Sequence, residues 1–129
     1  MSIVCGYVPT EVGQRALEQA IVETRFRGGP LLVINSTRAD RTVDVNYAHE
    51  PALATLEATL EESGVRYEVR SFTSQNLASD DIVLAAEELE AELIVIGMRK
   101  RTPMGKALMG SDTQRILLQS PCPVLAVRA

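Results

Sequence analysis

Tryptophan is missing from this sequence, and two phenylalanines and three tyrosines supply all the aromatic rings among 129 residues. Stacking platforms of the kind that hold single-stranded nucleic acid are therefore not expected. Basic residues are outnumbered, 13 against 17 acidic, for a net charge of −4. General DNA or RNA binding needs a broad cationic surface and is excluded on the same ground. One histidine, His49, and two cysteines, Cys5 and Cys122, without a Cys-x-x-Cys spacing, give a structural zinc site no support. Both cysteines fall in apolar runs read as buried strands, where cysteine acts as a small hydrophobe. No apolar run approaches the ~20 residues that span a bilayer. Met1-Ser2-Ile3-Val4-Cys5 enters an apolar run with no basic leader, so a cytoplasmic protein with no membrane partner is expected.

What is present is a regular alternation of short apolar runs and longer stretches of helical period. The runs are Ile3 to Val8, Pro30 to Asn35, Leu93 to Gly97 and Pro123 to Val127. They are apolar on both faces, as parallel strands covered on both sides must be. Val65 to Phe72 instead alternates apolar with polar, the mark of a half-exposed edge strand. Between the runs lie four helical patterns. The first is capped by Thr10 and stopped by Gly28-Gly29, with Val12, Ala16, Leu17, Ala20 and Ile21 on its inner face. The second starts near Glu50-Pro51, carries Leu53, Leu56 and Leu60, and ends at Ser63-Gly64. The third is capped by Ser79 and turns Ile82, Ala85, Ala86 and Leu89 inward. The fourth opens at Gly110-Ser111 and runs to Leu118. Ser36 to Tyr47 reads as a long polar loop. The order β-α-β-α-β-α-β-α-β, without an internal repeat, predicts one α/β domain over residues 1–129. It implies a Rossmann-like, doubly wound parallel sheet of five strands with helices on both faces.

In such a sheet a ligand sits beyond the carboxyl ends of the strands, where the strand order reverses. If the first and fourth strands are neighbours, that crevice lies between Val8-Pro9-Thr10 and the loop from Gly97 onward. The second loop, Met98 to Met109, holds Arg99, Lys100, Arg101 and Lys106, four of the 13 basic residues. Gly110-Ser111, followed by Asp112 and Thr113, opens a helix whose free N–H groups and dipole suit an anion. A solvated loop ahead of an ordinary capped helix explains the same residues equally well. The loop is not a Walker A motif, since Gly105-Lys106 is followed by Ala107 and lacks the first glycine.

Leu93-Ile94-Val95-Ile96-Gly97, then Gly110-Ser111, then Pro121-Cys122-Pro123-Val124-Leu125-Ala126-Val127 resembles the C-terminal signature of universal stress proteins. Nucleotide-binding members carry Gly, two residues, Gly, nine residues, then Gly-Ser/Thr. The first strand and Ala16-Leu17 and Ala20 of the first helix agree as well, so the likeness spans nearly the whole chain and is weakest from Ser36 to Tyr47. The resemblance implies the strand order 3-2-1-4-5. It also implies a site for an adenine nucleotide (ATP, AMP or cyclic AMP, with or without magnesium) at Val8, Pro9, Thr10, Asn35, Gly97, Met98, Arg99, Lys100, Gly110, Ser111, Asp112 and Thr113. Three positions depart from the family pattern. Lys100 stands where the second glycine belongs, Val8 aligns with an acid usual in ATP-binding members, and Asp112 adds a negative charge beside the presumed phosphate. The family also implies a homodimer paired through the last strand, Pro123 to Val127, whose apolar edge needs cover.

No Ser-His-acid set, paired buried carboxylates or metal cluster is visible, so no enzyme is expected. The competing expectations are a nucleotide-binding stress-response dimer, a dimeric protein-interaction module whose nucleotide site has degenerated, and a small nucleotide hydrolase or transferase. His49 reads as a capping or exposed residue. Met98, Met104 and Met109 read as flexible packing.

Overall fold

Residues 2–38, 50–74, 78–98 and 111–128 are described by the computed structural model. Five strands and four helices alternate along them: β1 (Ile3–Gly6), α1 (Glu11–Arg27), β2 (Leu31–Arg38), α2 (Glu50–Ser63), β3 (Tyr67–Ser74), α3 (Ala78–Glu88), β4 (Leu93–Met98), α4 (Ser111–Gln119) and β5 (Val124–Arg128). All neighbouring strands are parallel, in the order β3-β2-β1-β4-β5.

Residues of alternate parity in the apolar strands feed two cores, because side chains leave a strand on opposite faces in turn. Ile3 and Cys5 of β1, with Val33 and Val95, pack against Leu17 of α1 and Leu56 and Leu60 of α2. Val4, Leu32, Ile34, Ile94 and Ile96 point the other way, onto Ile82 and Ala86 of α3 and Ile116 of α4. Burying each large aliphatic side chain contributes about 1.5–3 kcal/mol, so these two layers dominate the stability of the sheet.

The ends of α1 follow the sequence signals. Thr10 is extended and its Oγ1 accepts a hydrogen bond from the Gly13 N–H at 3.2 Å, while Gly28 closes the helix in the left-handed region at φ 82. Arg25 donates to the Ser63 carbonyl at the end of α2. Arg27 bridges Glu23 on its own helix and Glu92 just before β4. Burial alternates from Val65 to Glu68 as the pattern predicts, although β3 itself begins only at Tyr67 and both Val69 and Arg70 are half-buried; the Tyr67 hydroxyl donates to Glu61 of α2.

Four local expectations are corrected. β1 stops at Gly6, leaving Tyr7 and Val8 in the connection to α1. β2 continues to Arg38, three residues into the stretch read as a loop, because Ser36, Thr37 and Arg38 pair with Phe72, Thr73 and Ser74 of β3. A polar residue is no obstacle to a strand whose backbone has a partner. Ser79 lies within α3, one residue past its start, and is buried. Cys122 sits in the turn before β5 and is half-buried, its N–H donating to Ser120 Oγ, so only Cys5 is a core-strand cysteine.

Candidate functional site

The strand order reverses at β1, which has β2 on one side and β4 on the other. Its two ladders end at different heights from those of its neighbours. Pairing of β1 with β4 ends at Cys5 opposite Val95, whereas β4 stays paired with β5 as far as Met98 opposite Arg128. On the other side, β1 leaves β2 after Gly6 opposite Ile34 and a last bond from the Tyr7 N–H to the Ile34 carbonyl. From Asn35 to Arg38, β2 is paired with β3 only. The carboxyl ends of β2 and β4 thus project past that of β1. A recess of this kind at a switch point is where open α/β sheets take their ligands.

One wall of the recess is the connection from β1 to α1. Val8 and Pro9 are half-buried and Thr10 is exposed. The Thr10 N–H reaches back to the Val8 carbonyl at 2.8 Å, and the Gln14 N–H donates to the Thr10 carbonyl at 2.9 Å. This turn is tight enough that a β-carbon on Gly13 would lie 1.7 Å from the Val8 oxygen. The first turn of α1 also presses on β4, since a β-carbon on Gly97 would lie 2.2 Å from Val12 Cγ1 and 2.9 Å from the Val12 carbonyl oxygen. Gly97 is required for that close approach whether or not a ligand is bound. The helical period of the sequence puts Val12 on the inner face of α1 without announcing its contact with Gly97, and Gly13 carries no expectation. A glycine three residues after a helix cap was the available signal, and it reads equally as a neutral helix position.

On the β2 side, Asn35 is fully buried and its Nδ2 donates to Ser71 Oγ of β3 at 3.3 Å. Its side chain thus ties β2 to the edge strand. On the α4 side, Ser111 begins the helix, Asp112 is exposed and Thr113 half-buried, while Ile116 anchors the helix in the core. Met98 ends β4 half-buried. Val8, Pro9, Thr10, Gly97 and Met98 therefore meet where β1, α1 and β4 converge, with Asn35 on the adjoining strand and Ser111, Asp112 and Thr113 in the first turn of α4. Arg99, Lys100 and Gly110 lie outside the described residues, as do His49, Met104 and Met109.

Acid–base chemistry is sparse beneath the recess. Burial pushes the Cys5 thiol up to about 12, which keeps it protonated and unreactive at neutral pH. The Tyr7 hydroxyl is raised by its own burial and then by Cys5 nearby. Among the described residues, no three of His, Cys, Asp and Glu come together as a metal-ligand set. No described helix is long and apolar enough to cross a membrane.

Comparison with known proteins places this geometry. The sequence pattern of the universal stress protein family matches residues 1–128. A universal stress protein of Mycolicibacterium smegmatis is 43% identical over 126 residues, which cover 98% of this chain and 96% of that one. Among solved structures, a universal stress protein from Archaeoglobus fulgidus superposes with a TM-score of 0.83 at 31% identity, covering 98% of both chains. A universal stress protein from the same organism in complex with dAMP superposes with a TM-score of 0.72 at 25% identity, covering 98% of this chain and 97% of that one.

Proposed function

The chain belongs to the universal stress protein family, and from that premise we propose that it binds an adenine nucleotide at the carboxyl end of β1 without efficient turnover. The observation that carries the reading is the recess left where β1 ends short of β2 and β4. The dAMP complex of the Archaeoglobus fulgidus relative supports the ligand class.

The residues present fit a nucleotide in part. The backbone of β2 past its last pairing with β1 at Ile34 borders the recess and is the candidate contact for a base. Ser111 at the start of α4 offers free N–H groups and the positive end of a helix dipole to a phosphate. Gly110 precedes it directly, and the cations Arg99, Lys100, Arg101 and Lys106 lie five to twelve positions upstream. Val8 brings no carboxylate to the nucleoside, and the exposed Asp112 opposes a phosphate. A hydrogen bond lost to a charged group lowers affinity by roughly ten- to a hundredfold. The site thus takes a nucleotide more weakly than one with the usual acid, and ATP, AMP and cyclic AMP are the ligands to compare, each with and without magnesium.

The test is thermal unfolding with each nucleotide at millimolar concentration. A ligand at a hundredfold its Kd stabilises by about 2.7 kcal/mol, an easily read shift. The shift is expected to vanish in Gly110→Asp protein. No shift with any adenine nucleotide would discard the reading in favour of an interaction module that has kept the fold and lost the ligand.

We also propose that the protein is a cytoplasmic homodimer joined through β5. This edge strand is half-buried along Val124 to Val127 and, among the described residues, has a neighbour, β4, on one side only. Antiparallel pairing of two copies would satisfy both free edges. Leu125→Lys is expected to give a monomer by sedimentation, and an unchanged dimer would reject this interface.

A further inference from the structure

A second surface, independent of the nucleotide recess, lies between α3 and α4. An open groove of about 290 Å³ is lined by Asp80, Val83, Leu84 and Glu87 of α3 and by Gln119 at the end of α4. Val83 is core and forms its floor, whereas Leu84 is 46% exposed on its wall. Such a volume falls just under the ~300–1,000 Å³ of small-molecule pockets and suits an inserted peptide side chain. Leu117 and Leu118 bring the exposed leucines on these two helices to three of the five large exposed hydrophobic residues among those described.

The charges around the groove select the partner. Asp80 and Glu87 stand seven residues apart and bracket Leu84, so acid, leucine and acid share one stripe of α3. Glu88 extends the stripe, and α3 has no basic residue. No ion pair engages Asp80 or Glu87 among the described residues. The one cation of α4, Arg115, is exposed one turn before Gln119 and does not line the groove. A helix laid beside α3 repeats at the same pitch, so two of its cations seven residues apart meet both carboxylates, with an apolar residue between them at Leu84. We infer that the groove between α3 and α4 docks a basic amphipathic helix of a partner protein, anchored at Leu84 and oriented by Asp80 and Glu87.

The experiment titrates the full-length protein into a fluorescein-labelled, end-blocked Leu/Lys helical peptide of about 14 residues, with Lys at i and i+7 bracketing Leu at i+3 and i+4. Fluorescence anisotropy is compared with that of a scrambled peptide and of one carrying Glu for Lys. Saturable one-to-one binding is expected for the first peptide alone. Leu84→Ser and Glu87→Lys are each expected to weaken it about tenfold with the unfolding midpoint little changed, since both side chains are exposed. Glu57→Lys, a like charge change on the exposed face of α2, is expected to leave binding as it was. Absence of binding up to millimolar protein, equal binding of the scrambled peptide, or equal weakening by Glu57→Lys would overturn the inference. So would a fall in the sedimentation coefficient of Leu84→Ser, which would make a second copy of this chain the occupant. Loss of nucleotide binding bears on none of these outcomes.

Discussion

Replacing Gly13 by alanine sets two physical effects against each other. Alanine is the better helix former by about 1 kcal/mol in a helix interior, so propensity alone predicts a more stable protein. The tertiary environment predicts the opposite. The new β-carbon would stand 1.7 Å from the Val8 carbonyl oxygen, a backbone atom that is itself held by the Thr10 N–H at 2.8 Å. Relief requires the β1–α1 connection or the first turn of α1 to move by more than an ångström. That movement disrupts the Thr10 cap on the Gly13 N–H, worth about 1 kcal/mol. It also weakens the bond from the Thr10 N–H to the Val8 carbonyl, worth a similar amount. Residual overpacking adds about 1–3 kcal/mol. The net expectation is a loss of roughly 2–4 kcal/mol after the gain in propensity. Urea unfolding followed by far-UV circular dichroism measures it, provided the m-value is unchanged. A Gly13→Ala protein as stable as the parent, or more so, would refute the close approach of Val8 and α1 and with it the geometry given for that wall of the recess.

Stability should fall as the solution is made strongly alkaline. The Cys5 thiol has a folded-state value of about 12 against an ordinary 9.0, so the unfolded chain loses its proton first. The stabilisation is complete below pH 9 and is lost as pH climbs towards 12, by up to roughly 4 kcal/mol. Tyr7, also raised, adds a slope of the same sign. Urea midpoints measured from neutral pH to about pH 11 should decline less steeply in Cys5→Ala protein, and parallel declines would remove Cys5 as a cause. Ile116→Ala, at 2% exposure the side chain that seats α4, is expected to cost about 2–5 kcal/mol by thermal or urea unfolding. Arg27→Ala, by contrast, removes contacts to Glu23 and Glu92 made by a side chain that is 39% exposed, and should leave the unfolding midpoint close to that of the parent in the same assay, because exposed ion pairs contribute little.

The sequence alone determined the alternation of elements, the boundaries of α1 and the parallel sheet. Those features rest on local chemistry: an extended threonine before a helical period, a glycine after it, and apolar runs too short for helices. The α/β alternation admits few topologies, and the signature at Gly97, Gly110-Ser111 and Pro121 to Val127 selected the order of the strands among them. The recess was legible only as a location. How far each strand runs depends on where its neighbour ends, and β2 persists through polar Ser36 to Arg38 because β3 supplies hydrogen-bond partners that no local pattern announces. Which face a residue of an apolar strand takes was also undecided, since Ile3, Val4 and Cys5 are alike in hydropathy and only the packed helices separate them into two cores. Gly97 shows the limit most clearly. The family resemblance reads it as part of a nucleotide loop, yet the contact that forbids a side chain there comes from Val12, 85 positions earlier in the chain. Contacts at that separation arise only when the sheet has brought the two segments together, and they were decided by the tertiary structure.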